Sequence, residues 1–128
     1  METQENNNKA TVRRAVDQVM NRGDLAAIDE LYAPELAGQV RDWIAPFRAA
    51  FPDVRMEIVD LIAEGPKVVA RFACSGTHSG DWRGHSATGR RFERIDEVYV
   101  FELRRGRIAA AWGLEDTLTR LRQLGLDG

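Results

Sequence analysis

Four carboxylates stand in two adjacent pairs: Asp96-Glu97 inside the run RRFERIDEVYVFELRRGRI (90–108), and Glu115-Asp116 at the end of RIAAAWGLED (107–116). The first run is otherwise rich in β-branched and aromatic residues, so it reads as a strand whose side chains alternate between two faces. One acid of the pair then faces whatever the sheet buries, and the other faces away. With Glu97 inward the neighbours on its face are Tyr99, Phe101 and Leu103; with Asp96 inward they are Phe92, Val98 and Val100. Either carboxyl would be costly to ionise among apolar groups, which raises its pKa and suits it to work as a general acid, general base or oxyanion stabiliser. The competing use is an ion pair with Arg71, Arg94 or Arg107, or a contact on the outer face of the sheet. Asp116 has an alternative role too, because it precedes TLTRL and is placed to cap a helix.

Other chemistry-bearing residues are sparse. His78 and His85 flank the glycine-rich stretch SGDWRG, and with no further His and a single Cys they make a poor metal set. His78 fits better as a hydrogen-bonding residue of a pocket mouth. Trp43, Phe47, Trp82, Tyr99 and Trp112 could line a site for a flat aromatic compound, with Trp82 as part of a lid. Cys74, inside VVARFACSG, reads as a small core residue and allows no intrachain disulfide, in keeping with a reducing compartment. There is no phosphate-binding glycine loop and no nucleophile elbow.

The elements that must position these residues follow from periodicity. Residues 1–10, with their Asn run, read as a disordered lead-in, and residues 11–128 as a single domain. Val12, Ala15, Val16, Val19 and Met20 mark one helix face. Asp24 is placed to cap a short second helix that stops before Pro34. A third helical pattern runs from Gly38 to Phe51, with Pro46 expected to kink or divide it. Four strands follow, within VRMEIVDLIAEG, KVVARFACSGTH, the acid-bearing run and RIAAAWGLE, then a last helix with Leu118, Leu121 and Leu124 on one side and Gly125 closing it. Helices first and an antiparallel meander second make an α+β domain, with helices on one face of a curved sheet.

Composition narrows the function. The 128 residues carry 18 Lys+Arg against 20 Asp+Glu, a net charge of −2, so nothing suggests a nucleic-acid footprint. No apolar run approaches the roughly 20 residues of a membrane span, and METQENNNKA lacks a leader pattern. A cytoplasmic protein with no membrane partner is expected.

Taken together, NRGDLAAIDELYAPE, FRAAFPDVRMEIVDLIAEGPKVVARFACSGTHSGDWRGHSATGRRF and GRIAAAWGLEDTLTRLRQLG resemble the SnoaL-like polyketide cyclase (ester cyclase) family over about residues 11–126. The resemblance implies an NTF2-like, cone-shaped α+β barrel and a closed, water-poor apolar pocket. It further implies carboxyl acid/base chemistry on a polyketide-like or other small carbonyl compound, with no cofactor, in secondary metabolism such as antibiotic biosynthesis. The related ketosteroid isomerases carry an Asp followed at i+2 and i+4 by aromatics, a spacing that Glu97, Tyr99 and Phe101 reproduce; the family's Ile-Asp dipeptide matches Ile95-Asp96 instead. The catalytic Asp of the family's Trp-x-x-x-Asp region corresponds to Asp116, with Glu115 beside it, and an acid frequent directly after that Trp is replaced by Gly113. The segment after Tyr32-Ala33-Pro34 is shorter than in the family and lacks its usual polar residue, which leaves open a non-catalytic small-molecule-binding or dimerisation module. A homodimer through the outer sheet face is expected, because the strands carry apolar residues on both faces.

Overall fold

The computed structural model describes residues 3–126. Helix α1 spans Gln4–Arg14 and continues as a π-helical turn over Ala15–Asn21; a 3₁₀ turn, Leu25–Ala27, leads into α2, Ile28–Leu31, and then α3, Pro34–Ala50. Four strands follow as an antiparallel meander, β1 (Arg55–Glu64), β2 (Lys67–Thr77), β3 (Arg91–Arg104) and β4 (Arg107–Glu115), before α4, Thr117–Leu124. The expected α+β layout is present, with one qualification: the curved sheet does not close, and β1 and β4 are its edges.

Order begins earlier than the apolar pattern suggests. Thr3 caps α1 by accepting from the Asn6 amide, Asn8 is buried, and the Glu5 carboxylate accepts from the Gly65 amide in the β1–β2 turn. Polar side chains here make specific contacts rather than fray, so the lead-in expected over residues 1–10 is helical from Gln4; residues 1 and 2 lie outside the described part. The π-helical turn widens the end of this helix and presents Ala15, Val16 and Met20 to the interior. It is pinned from two sides. The Asn21 amide exchanges hydrogen bonds with the Met56 backbone at 2.7 and 3.1 Å, and Arg48 Nη1 donates to the Met20 carbonyl at 2.6 Å.

Two local expectations change. Asp24 makes no side-chain capping bond, and α3 runs unbroken through Pro46 from a start at Pro34. Pro46 and Asp42 are both exposed, so water can serve the Asp42 carbonyl that has lost its intrahelical donor.

Three β-bulges decide which side chains face the core. One lies at Val59 on β1, one on β3 opposite Ser75, and one at Ala109 on β4. At the second, Arg94 takes a left-handed φ of 53° and its amide donates to Ser75 Oγ. The extra residue puts Phe92 and Ile95 on the same buried face, and alternation from Ile95 onward turns Glu97, Tyr99, Phe101 and Leu103 inward.

Candidate functional site

The helices and the inner sheet face enclose a cavity of about 410 Å³. Its walls come from the π-helical turn (Ala15, Val16, Met20), Tyr32, α3 (Gln39, Val40, Trp43), and inward residues of the sheet, Met56, Phe72, Tyr99, Phe101, Ala111, Gly113 and Glu115. It is not closed. Gln39 and Trp43 on α3 and Ala111 and Gly113 on β4 are exposed, so the mouth lies between that helix and the edge strand. The short connection from α2 to α3 makes one bridge to β4, Tyr32 to Ile108, and leaves the rest of that strand edge uncovered.

Glu115 is the one ionisable acid on this lining, and it belongs to a larger charged cluster. Arg120 of α4 is fully buried, with its guanidinium carbon 4.7 Å from the Phe92 ring centroid and 5.5 Å from that of Phe47. Its Nη2 donates to Glu97 Oε2 and its Nη1 to Glu115 Oε1 at 3.0 Å. The Tyr99 hydroxyl lies 3.2 Å from Glu97 Oε1 and 3.3 Å from Glu115 Oε2. These four residues form a closed ring of polar contacts, with Glu97 2% exposed behind the cavity wall and Glu115 at its surface.

Burial sets the electrostatics. It pushes Glu97 above the ordinary carboxyl range, against the opposing pull of Arg120 and with a further push from Glu115. It also drives the Tyr99 phenol far up, reinforced by both carboxylates. The Cys74 thiol is raised first by burial and then by the charge of Glu97. Tyr32, at the other end of the cavity, is pushed up to about 12 by burial. Both phenols therefore remain neutral donors at neutral pH.

The candidate residues divide cleanly. Glu97, Glu115, Tyr99 and Trp43 come together at or directly behind the cavity. Asp96 does not: it faces the outer side and pairs with Arg71 at 3.1 Å. Asp116 is exposed and accepts from the amide and hydroxyl of Thr119 as the α4 cap, which holds its carboxyl below the usual range. Trp112 stands on the outer face, opposite to Gly113 and Glu115. Phe47 packs between Trp43 and Phe51 and over Arg120, outside the lining. His78 and Trp82 pack on Phe51, where the His78 ring, accepting from the Thr88 amide at Nδ1, anchors the loop over residues 79–90 away from the cavity. No group of three or more His, Cys, Asp or Glu side chains among the described residues is arranged to hold a metal ion. Arg120, Tyr32 and Gln39 were not among the sequence candidates. A weak signal existed for the first: in α4, Arg120 is four residues before buried Leu124, whereas Leu118 on the expected apolar side is 52% exposed.

Gly113 explains how Tyr99 reaches both acids. A Cβ at residue 113 would lie 2.2 Å from Tyr99 Cδ1, so the phenol ring occupies the space a side chain there would need. Gly113→Ala should push the ring off its carboxylates and cost about 1–3 kcal/mol by overpacking, read as a lower urea midpoint; an unchanged midpoint would mean that the ring is not confined.

The sequence matches the model of the SnoaL-like polyketide cyclase family over residues 10–124. The chain belongs to this family. One relative, the aklanonic acid methyl ester cyclase DnrD of Streptomyces peucetius, is 31% identical over 109 residues, covering 84% of this chain and 72% of the relative. Among solved structures, TsrD from Streptomyces laurentii superposes with a TM-score of 0.89 at 27% identity, covering 98% of this chain and 99% of that one. IdmH from Streptomyces antibioticus superposes with a TM-score of 0.82 at 28% identity over 92% of this chain and 98% of its own. Membership in a SnoaL-like family of cyclases supports an enzyme of the cyclase/isomerase kind, and the expected NTF2-like architecture is that of these neighbours. No helix among the described residues is long and apolar enough to cross a membrane.

Proposed function

We propose that this protein is a cofactor-independent cyclase that closes a ring in a small, polyketide-like carbonyl compound by carboxyl acid/base chemistry, with Glu115 as the acting group. The observation that carries this reading is the position of Glu115, the single carboxylate among the described residues of a cavity lining that is, Gln39 apart, aromatic and aliphatic. A flat conjugated substrate would enter between α3 and β4 and rest against Trp43 and Tyr99, whose rings meet edge to face at 6.2 Å. Glu115 would take a proton from the carbon next to a carbonyl, breaking the C–H bond and leaving an enolate. Attack of that enolate on a second carbonyl closes the ring, and the resulting alkoxide recovers a proton from the site. Arg120 and Tyr99, donating to Glu115, hold it aimed until then.

The test is incubation of the purified protein with aklanonic acid methyl ester, the compound in the name of its relative. Ring closure above the buffer background without added cofactor supports the reading. Binding without closure, there and with related linear polyketide methyl esters, would favour a non-catalytic binding module.

The outer sheet face supports a second part of the proposal, a homodimer. Ile62, Val69, Val100 and Trp112 form one cross-strand row over all four strands, flanked by Val98 and Leu114. Trp112 is 59% and Leu114 65% exposed, and the row is bordered by Asp60, Arg71 and Asp96, both signs of charge that a two-fold-related copy can meet. Sedimentation should give a dimer for the native protein and a monomer for Trp112→Glu; a native monomer would reject this assembly.

A further inference from the structure

We infer that Glu97, Tyr99 and Glu115 share one proton beyond the phenol's own, so that Glu115 acts as the exposed member of a proton-sharing set rather than as an isolated carboxyl. This deepens the proposed chemistry of the site and rests on it only for its consequence in turnover.

The hydrogens around the ring fix this count. Each carboxylate gives one oxygen to Arg120 and turns the other to the Tyr99 hydroxyl. The two approaches to that hydroxyl, 3.2 and 3.3 Å, are nearly equal. A phenol has one hydrogen and can donate to one acceptor at a time. With both acids ionised, the other approach would set a carboxylate oxygen against a phenol lone pair with no hydrogen between them. One added proton on either acid removes that conflict, because its O–H then donates to the phenol oxygen while the phenol donates to the opposite carboxylate.

Charge leads to the same count. Two ionised acids against one guanidinium leave the buried cluster with one uncompensated negative charge, and the added proton makes it neutral, which burial favours. Among the described residues, the groups facing the cluster supply no other cation. β2 contributes the Cys74 thiol, and α3 contributes the Phe47 and Trp43 rings. α4 contributes Arg120, while Asp96 and Asp116 turn their carboxylates to other partners.

The consequence is a defined path. Shifting two hydrogens along Glu97, Tyr99 and Glu115 moves the acidic proton from the buried carboxyl to the one at the cavity, with no net gain or loss. Glu97 and Tyr99 are therefore positioning residues that set when Glu115 is base and when it is acid.

Infrared spectra of the intact protein labelled with ¹³C-carboxyl glutamate test this without any substrate. At pH 7, far above the ordinary glutamate value of roughly 4.3, the native protein should show one protonated glutamate carbonyl band. Glu97→Gln and Glu115→Gln should each remove it, and Tyr99→Phe should lower its titration midpoint by about one unit or more, a tenfold loss of proton affinity. Absence of the band in the native protein at pH 7, or its persistence in both glutamine variants, would overturn the inference. A native band with no ring closure on any ester would leave the proton count standing and reject the proposed function instead.

Discussion

Glu115→Gln should lower kcat/KM for ring closure by about 10²–10⁴-fold, the usual worth of a positioned acid or base, while leaving the fold intact. Glutamine keeps the shape of the side chain and can still accept from Arg120 Nη1, which Glu115 meets at 3.0 Å at the cavity surface. What it loses is the ability to take and return a proton. The signature of this role is therefore a fall in kcat with little change in KM, since Trp43 and the apolar walls remain to bind substrate. A rise in KM alone would place Glu115 in binding and not in proton transfer. Asp96→Asn and Asp116→Asn serve as comparisons: neither acid lines the cavity, so neither should approach this loss.

Arg120→Met should destabilise the protein by about 3–5 kcal/mol at neutral pH, the effect of removing one partner from a buried ion pair. Arg120 is wholly buried and binds Glu97 and Glu115 together, and without it Glu97 keeps a desolvated carboxyl with no counter-ion. Such a loss is a large fraction of the roughly 5–15 kcal/mol that holds a domain folded. It should also depend on pH with a definite sign. Burial already raises the folded-state value of Glu97, and Arg120 is the group that lowers it, so removing Arg120 raises it further. A raised group contributes stability that is fully present below its unfolded value and is lost as pH rises through its folded value. The deficit of Arg120→Met should thus be small near pH 4 and grow toward neutrality. Adding Glu97→Gln should recover much of it. Urea unfolding of the single and double variants at both pH values measures this, and a pH-independent deficit would show that lost packing against Phe47 and Phe92 dominates.

Much of the fold was legible because runs rich in apolar residues stand between turn residues; RIAAAWGLE, read as a strand, is β4 from Arg107 to Glu115. The inward acid was less legible. Alternation makes Asp96 and Glu97 exclusive, but which one faces inward depends on the bulge at Arg94, and no local residue pattern announces it. Alternation could have excluded one pairing outright: Trp112 and Glu115 are three residues apart on one strand and cannot both face the cavity. Arg120 was hidden for a different reason. A buried arginine on a short helix is explained only by the two carboxylates of β3 and β4 that it neutralises, and that pairing exists only once the chain is folded. The polar N-terminus misled in the same way, since Glu5 acts through the Gly65 amide, a partner that the local sequence does not contain.

Deuterium exchange in D₂O shows whether a carboxyl at the cavity wall moves a carbon-bound proton. Aklanonic acid methyl ester would be followed by NMR at the carbons next to its carbonyls, with native protein and with Glu115→Gln. With the native protein, exchange or closure at such a carbon should be accelerated, and with the variant neither should rise above background. Exchange at equal rates with both would contradict this.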